Sequence, residues 1–298
     1  MPRNHLIILP CHGIWKIDSA SDDNNYGQLS DQWYLAPFQL EGNDHLVFIK
    51  QSLKAIEELL LDYENSVILF SGSQTKIDAG PISEAQSYFL LMKKLVNLAT
   101  TKDGFEQLTS LFDIEIRILL ENIVKQLESN NISVNTLFSN GYINTEEYAL
   151  DSFDNLLYSI LRFKEITQWY PKHITIIGFG FKESRFLNCH ARALDIPKDI
   201  IRYISYEPEP LNYSQEQLNR YFENLIYMEK KNALGLFEND WYARKNSLTK
   251  KKNGRNPYKR IARYDGLKMF HFNETELTDS EHFKKYVEGK MPWSYKEW

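Results

Sequence analysis

SVILFSGSQTKIDAGPISEA, residues 66–85, decides the fold. Val67, Ile68, Leu69 and Phe70 are four consecutive apolar β-formers, the pattern of a strand buried on both faces. Ser71-Gly72-Ser73 stops that run with small turn residues. Asp78, Gly80 and Pro81 then lead to Ser83, a good N-cap, and Glu84, an acid placed where a helix N-terminus favours negative charge. A strand that ends in a small-residue turn and passes into a capped helix is a building block of open α/β sheets. In such sheets the junction lies where ligands bind, with backbone N–H groups available to an anion. Ser71, Gly72, Ser73 and Ser83 are therefore candidate ligand contacts, and Glu84 a candidate acid or base. The competing reading is an ordinary turn.

Outward from this stretch, His5–Pro10 is a second short β-like run and delivers Cys11-His12-Gly13 at its carboxyl end. His12 titrates near neutrality when unperturbed, which makes it a candidate for proton transfer, against the commoner role of a hydrogen-bonded structural histidine. Between the two runs, Leu46, Val47, Ile49, Leu53, Ile56, Leu59 and Leu60 recur at helical spacing and predict a crossover helix. Strand, helix and strand form a βαβ unit that should be parallel and right-handed. Asp22, Asp23, Asn24 and Asn25 read as an exposed loop before it.

The helix opened by Ser83 runs to about Val96. A second amphipathic run, Phe105–Glu128, predicts a helical insertion packed on the body, within about residues 100–140. Asn144 or Thr145 is read as the cap of a further helix on which Glu147, Asp151 and Asn155 recur every fourth position and share one stripe, either solvated or a polar wall facing the strand ends. His173–Phe179 is a third strand ending in Gly178, with Arg185, His190 and Arg192 on the helix predicted after it; the planar fork of Arg185 suits a carboxylate or phosphate. Ile200–Ser205 is a fourth strand, and Ser214–Lys231 a closing helix. The expected fold is a Rossmann-like α/β domain over residues 1–232, its parallel sheet flanked by helices on both faces. Residues 233–298 read as an irregular basic C-terminal extension packed on that domain, with Trp293 docking onto the body.

The chain has 298 residues, is 43% hydrophobic and carries a net charge of −5, so it can bury a large core. No apolar run approaches a membrane span, no signal peptide is evident at the N-terminus, and Cys11 and Cys189 are the only cysteines, which excludes a disulfide framework. These features point to a soluble cytoplasmic protein. From Trp241 to Tyr264 there are nine Lys or Arg and no Asp or Glu, so a basic segment faces an acidic body. It reads as a solvated loop, with contact to a membrane surface or nucleic acid as the weaker alternative, since no nucleic-acid-binding module is present.

Strand-SGS, Ser83-Glu84-Ala85 and a Thr/Glu-rich helix with Asn155 together resemble the domain-of-unknown-function family typified by the bacterial envelope proteins YdcF, SanA and ElyC. The likeness is closer to a fungal intracellular branch, through Glu147–Leu157, Gly178-Phe179-Gly180-Phe181-Lys182 with Arg185-Phe186 and His190-Ala191, and Arg255-Asn256-Pro257. The resemblance implies a Rossmann-like fold with a polar pocket at the strand ends and no established reaction. Ser73 stands where the family has a second Gly, and the bacterial Tyr-His before the late helix is replaced by a Gly-Phe-Gly strand end. GxGxxG, Walker A, GxSxG and HExxH are absent, so the better-understood nucleotide and hydrolase chemistries lose most of their weight; the sequence names no particular cofactor, and no metal ligands are read. The functional expectation is a pocket for a small anionic metabolite, such as a nucleotide, nucleotide-sugar or adenosyl compound. Either an enzyme using Glu84 and His12, or a non-catalytic binding or scaffold protein, would fit.

Overall fold

The computed structural model describes residues 3–17, 24–270 and 277–294. Its centre is a five-stranded sheet of β1 (His5–Pro10), β2 (Ser66–Ser71), β3 (Ile143–Glu146), β4 (His173–Phe179) and β5 (Ile201–Tyr206), in the order β3-β2-β1-β4-β5. Every pairing is parallel, with His5 opposite Ser66 on one side of β1 and opposite His173 on the other. The Rossmann-like expectation holds. The order runs outward in opposite directions from β1, so the crossovers after β1 and β4 leave a crevice between those two strands at their carboxyl ends.

Alternation along β1 sorts the core into two layers. Ile7 and Leu9 point to one face, where they meet α1 (Asp44–Leu61), α2 (Glu84–Ala99) and the helices that follow. Leu6 and Ile8 point to the other, onto α5 (Ser152–Thr167) and the C-terminal segment. All four side chains are fully buried, which is why the strand reads as an unbroken apolar run.

The run Phe105–Glu128 of the insertion forms two helices, α3 (Lys102–Leu111) and α4 (Ile114–Ser129), divided at Phe112-Asp113, where Asp113 caps α4 by accepting from the Ile116 N–H; a short third helix, Val134–Ser139, completes the insertion. Its apolar stripe, Ile116, Leu120, Ile123 and Leu127, is buried in the first layer, and Asn122 donates to Glu57 of α1 at 2.7 Å. The helix expected to begin at Asn144 or Thr145 does not: Ile143–Glu146 is the edge strand β3. The loop after it ends at Asp151, whose carboxylate takes the Asp154 N–H at 2.9 Å and opens α5. Glu147 therefore shares no helix face with Asp151 and Asn155. Asn25, read as exposed, is buried and accepts the Trp15 indole N–H at 2.7 Å; Asp22 and Asp23 lie outside the described residues.

The last regular helix before residue 232, α6 (Gln215–Glu229), lies across the sheet's carboxyl edge, and the basic stretch forms a helix of its own, α7 (Asn246–Gly254). Trp293 is buried and donates its indole N–H to Leu194 O at 2.6 Å. None of the described helices is long and apolar enough to cross a membrane.

Candidate functional site

At the crevice beside β1 lies a cavity of about 620 Å³. Its floor is made by residues just past the strands. Cys11 and His12 follow β1, and Phe181 and Lys182 follow β4 through a tight helical turn. Asp44 comes from the first turn of α1, Glu84 from the first turn of α2, and Asp151 and Asn155 from the start of α5. The roof is α6, through Tyr221, Met228 and Glu229, and α7 adds Lys251 and its C-cap Arg255.

Of the residues singled out in the sequence, His12, Glu84, Asp151, Asn155 and Arg185 meet in this cavity. Ser71, Gly72, Ser73, Ser83, Glu147 and Gly178 are not among its walls. Ser71 is buried beneath it, donating to Glu146 at 2.8 Å and accepting from Asn155, whose amide also donates to the Ser71 carbonyl at 3.0 Å. Gly178 is small because Tyr203 crosses it: a Cβ there would lie 2.5 Å from the phenolic oxygen. Glu147 accepts from Thr145 and faces Arg260 at 3.8 Å.

Four N–H groups of the junction, those of Gly72, Ser73, Glu84 and Ala85, are already committed to backbone carbonyls and not open to an anion. Gly72 donates to Glu146 O at 3.0 Å and Ser73 to Ala149 O at 3.1 Å. Glu84 N–H goes to Ser73 O at 3.0 Å, and Ala85 N–H to Gly72 O at 3.3 Å. Ser83 takes the Gln86 N–H at 2.9 Å, and Gln86 returns the bond to Ser83, closing a capping box. Edge strand β3 and its loop thus consume the Gly72 and Ser73 donors, and the carbonyls of Ser73 and Gly72 those of Glu84 and Ala85. Gly72 is needed for another reason: a Cβ would come within 2.6 Å of the Glu84 carboxylate and 3.1 Å of Cys11. The turn is small so that Glu84 can enter.

Glu84 receives the Thr75 hydroxyl at 2.5 Å, and burial lifts its carboxyl to about 7 against the partial help of that bond. Across the cavity the His12 ring stacks on Phe179 with centroids 5.6 Å apart, and Lys182 Nζ lies 3.1 Å from His12 Nε2. Burial, then Lys182 and Arg185, hold His12 well below the usual imidazole range, so it is neutral and accepts from the lysine. Burial and Arg185 bring Lys182 down to about 7, and burial raises the facing Asp44 to about 7. Arg185 stands 3.4 Å from Glu229 of the roof. Lys251 is pushed down by burial and by Arg255 and Arg185. Cys11 is unsuited to act as a nucleophile, because burial and Glu84 drive its thiol well up.

Asp44 and Lys251 are not singled out in the sequence, and Lys182 and Arg255 enter it only within the resembling motifs, since each comes from a segment distant from the central stretch. Lys182, two residues past the Gly178-Phe179-Gly180 strand end, carries the only local signal. The basic segment is also less solvated than its composition suggests. Lys252 reaches Asp154 at 2.7 Å and Asp151 at 3.2 Å, and those carboxylates are almost wholly buried.

The uncharacterized protein YOR238W of Saccharomyces cerevisiae is 49% identical over 295 residues, covering 97% of both chains. The chain belongs to its family. No protein-family model matches the sequence. No solved structure matches it either.

Proposed function

We propose that the cavity beside β1 binds a small anionic metabolite and that Glu84 moves a proton on it. The single observation behind this reading is the convergence of Lys182, Arg185, Lys251 and Arg255 on one cavity, where burial and mutual repulsion work against the charge of the first three. A bound phosphate or carboxylate relieves that repulsion and replaces the water the cations have lost. Asp44 and Glu84, both raised to about 7, do not cancel the positive field as ordinary carboxylates would. Phe181, Tyr221 and Met228 supply an apolar wall for the rest of the ligand, as a nucleotide-like molecule requires. The motif resemblance to the YdcF-like proteins supports the same location, although the donors here are side chains in place of the strand-end backbone.

Native mass spectrometry of the purified protein checks the reading directly, followed by thermal stabilisation with inorganic phosphate, pyrophosphate and a nucleoside diphosphate. Saturation at a hundred times Kd is worth about 2.7 kcal/mol. Arg185→Gln and Arg255→Gln should each weaken that stabilisation. No bound anion and no stabilisation by any of the three would end the proposal. With a substrate in hand, Glu84→Gln separates the enzyme from a pure binding protein: turnover falls about 10²–10⁴-fold with affinity kept if Glu84 is a general acid or base. Only affinity changes if it is not.

A further inference from the structure

We infer that Lys182 is a nucleophilic amine, positioned to form an imine with an anionic aldehyde or ketone bound in the cavity. The inference rests on the anion-binding reading and names the chemistry of the ligand's reactive end. Three geometric facts carry it. Lys182 lines the cavity and, among the described residues, its Nζ has no carboxylate within ion-pairing distance, whereas Arg185, beside it in the same cavity, has Glu229. Its close polar neighbour is the imidazole of His12, with Nε2 at 3.1 Å, a proton acceptor in contact with the amine. The ammonium end is covered by the Phe179 and Phe181 rings, whose centroids lie 4.9 and 5.3 Å away, so water is limited where the amine must be free of its proton. A lysine desolvated next to other cations is the known way to make this side chain reactive at neutral pH. Lys76 and Lys251 also line the cavity, but Lys251 donates to the Asn232 carbonyl and neither has an imidazole partner.

The reaction balances without a further reagent. The ammonium passes a proton to His12, and the amine lone pair attacks the carbonyl carbon, forming the C–N bond as the C=O pair moves to oxygen. Proton transfer from nitrogen to that oxygen gives the carbinolamine. The nitrogen lone pair then forms C=N while the hydroxyl leaves as water with the proton returned by His12. A protonated imine and one water result. Arg185 and Arg255 would hold the carboxylate or phosphate of the same molecule.

Glyoxylate is the probe, with cyanoborohydride to reduce the imine and peptide mapping to locate the carboxymethyl group. Lys182 should be labelled on the order of tenfold faster than surface lysines, and inorganic phosphate should compete. Lys182→Arg should lose the fast label while its thermal melt without ligand stays close to that of the wild type. His12→Gln should slow labelling at Lys182 by about 10²-fold, the lower end for loss of a general base, and leave phosphate binding intact. Labelling of Lys182 no faster than of surface lysines, with phosphate stabilisation present, would overturn the imine and spare the anion site. Fast labelling at Lys182 without any effect of phosphate would keep the nucleophile and remove the anion site.

Discussion

The two ends of the sheet are built from similar residues and arranged to opposite effect. At the amino end, beside a cavity of about 260 Å³, His5 bonds Ser66 Oγ and Thr175 Oγ1, each at 2.8 Å, and Arg202 donates to the same Thr175 hydroxyl at 2.9 Å and pairs with Glu58. Lys54 bridges Glu57 and Glu58 at 2.7 and 2.9 Å. Cation and carboxylate alternate there. At the carboxyl end Arg185 has Glu229 at 3.4 Å, but Lys182, Lys251 and Arg255 share the cavity with no carboxylate in ion-pairing distance among the described residues, and burial lifts Asp44 and Glu84 to about 7. A polar cluster by itself does not mark a site; the sign and pairing of its members do.

The comparison breaks most easily at Lys252. Lys252→Met leaves Asp151 and Asp154 buried beside each other, and loss of one partner from such a cluster costs about 3–5 kcal/mol. Urea unfolding at pH 8 measures it. A loss below about 1 kcal/mol would show that the aspartates relax or share a proton, as the rise of Asp154 to about 7 by burial and Asp151 allows.

The pH dependence of the two ends differs in sign. Glu84 is raised from 4.5 to about 7, so the folded chain keeps a proton that the unfolded chain releases, and stability falls as pH rises through that window. Glu84→Gln should flatten the slope by about 2–3 kcal/mol between pH 5 and 8. His5 is lowered from 6.5 to about 4, first by burial and then by Arg202; its neutral form belongs to the fold, so stability is lost as pH falls from 6.5 towards 4. Partial exposure reduces this to about 1–2 kcal/mol. A His5→Asn variant whose acid unfolding matches wild type would show that Ser66 and Thr175 hold the charged ring equally well.

The smallest effect belongs to Arg202→Gln. The Arg202 side chain is 57% exposed, and a pair of that kind is worth about 0–1 kcal/mol. A larger loss would mean that the Thr175 bond, and not the ion pair, is what Arg202 contributes.

Much of this contrast is foreshadowed by the amino-acid order. Strands β1, β2 and β4 announce themselves because both faces are apolar, and α1 and α2 because their stripes cover those faces. Glu84, His12 and Arg185 follow from their places just past the strands. Edge strand β3 is concealed, since Asn144-Thr145-Glu146 looks like a helix start, and only pairing with β2 makes it extended. Its consequence propagates: β3 and its loop take the N–H groups of Gly72 and Ser73, and the cations of the cavity come instead from side chains near the end of α7 and after β4. Contacts between residues 12 and 182, or 151 and 252, have no local signature.

The α7 contribution also bears on how the protein matures. The floor of the cavity is set by residue 12 and its last cations by residues 251 and 255, so the pocket spans almost the whole order of synthesis. Chains emerge at about 5–20 residues per second. The sheet through β5 can be complete for several seconds while Asp151 and Asp154 still lack Lys252. During that interval a nascent chain has its sheet without Lys251, Lys252 and Arg255, and the walls of the cavity are completed only in the final fifth of translation.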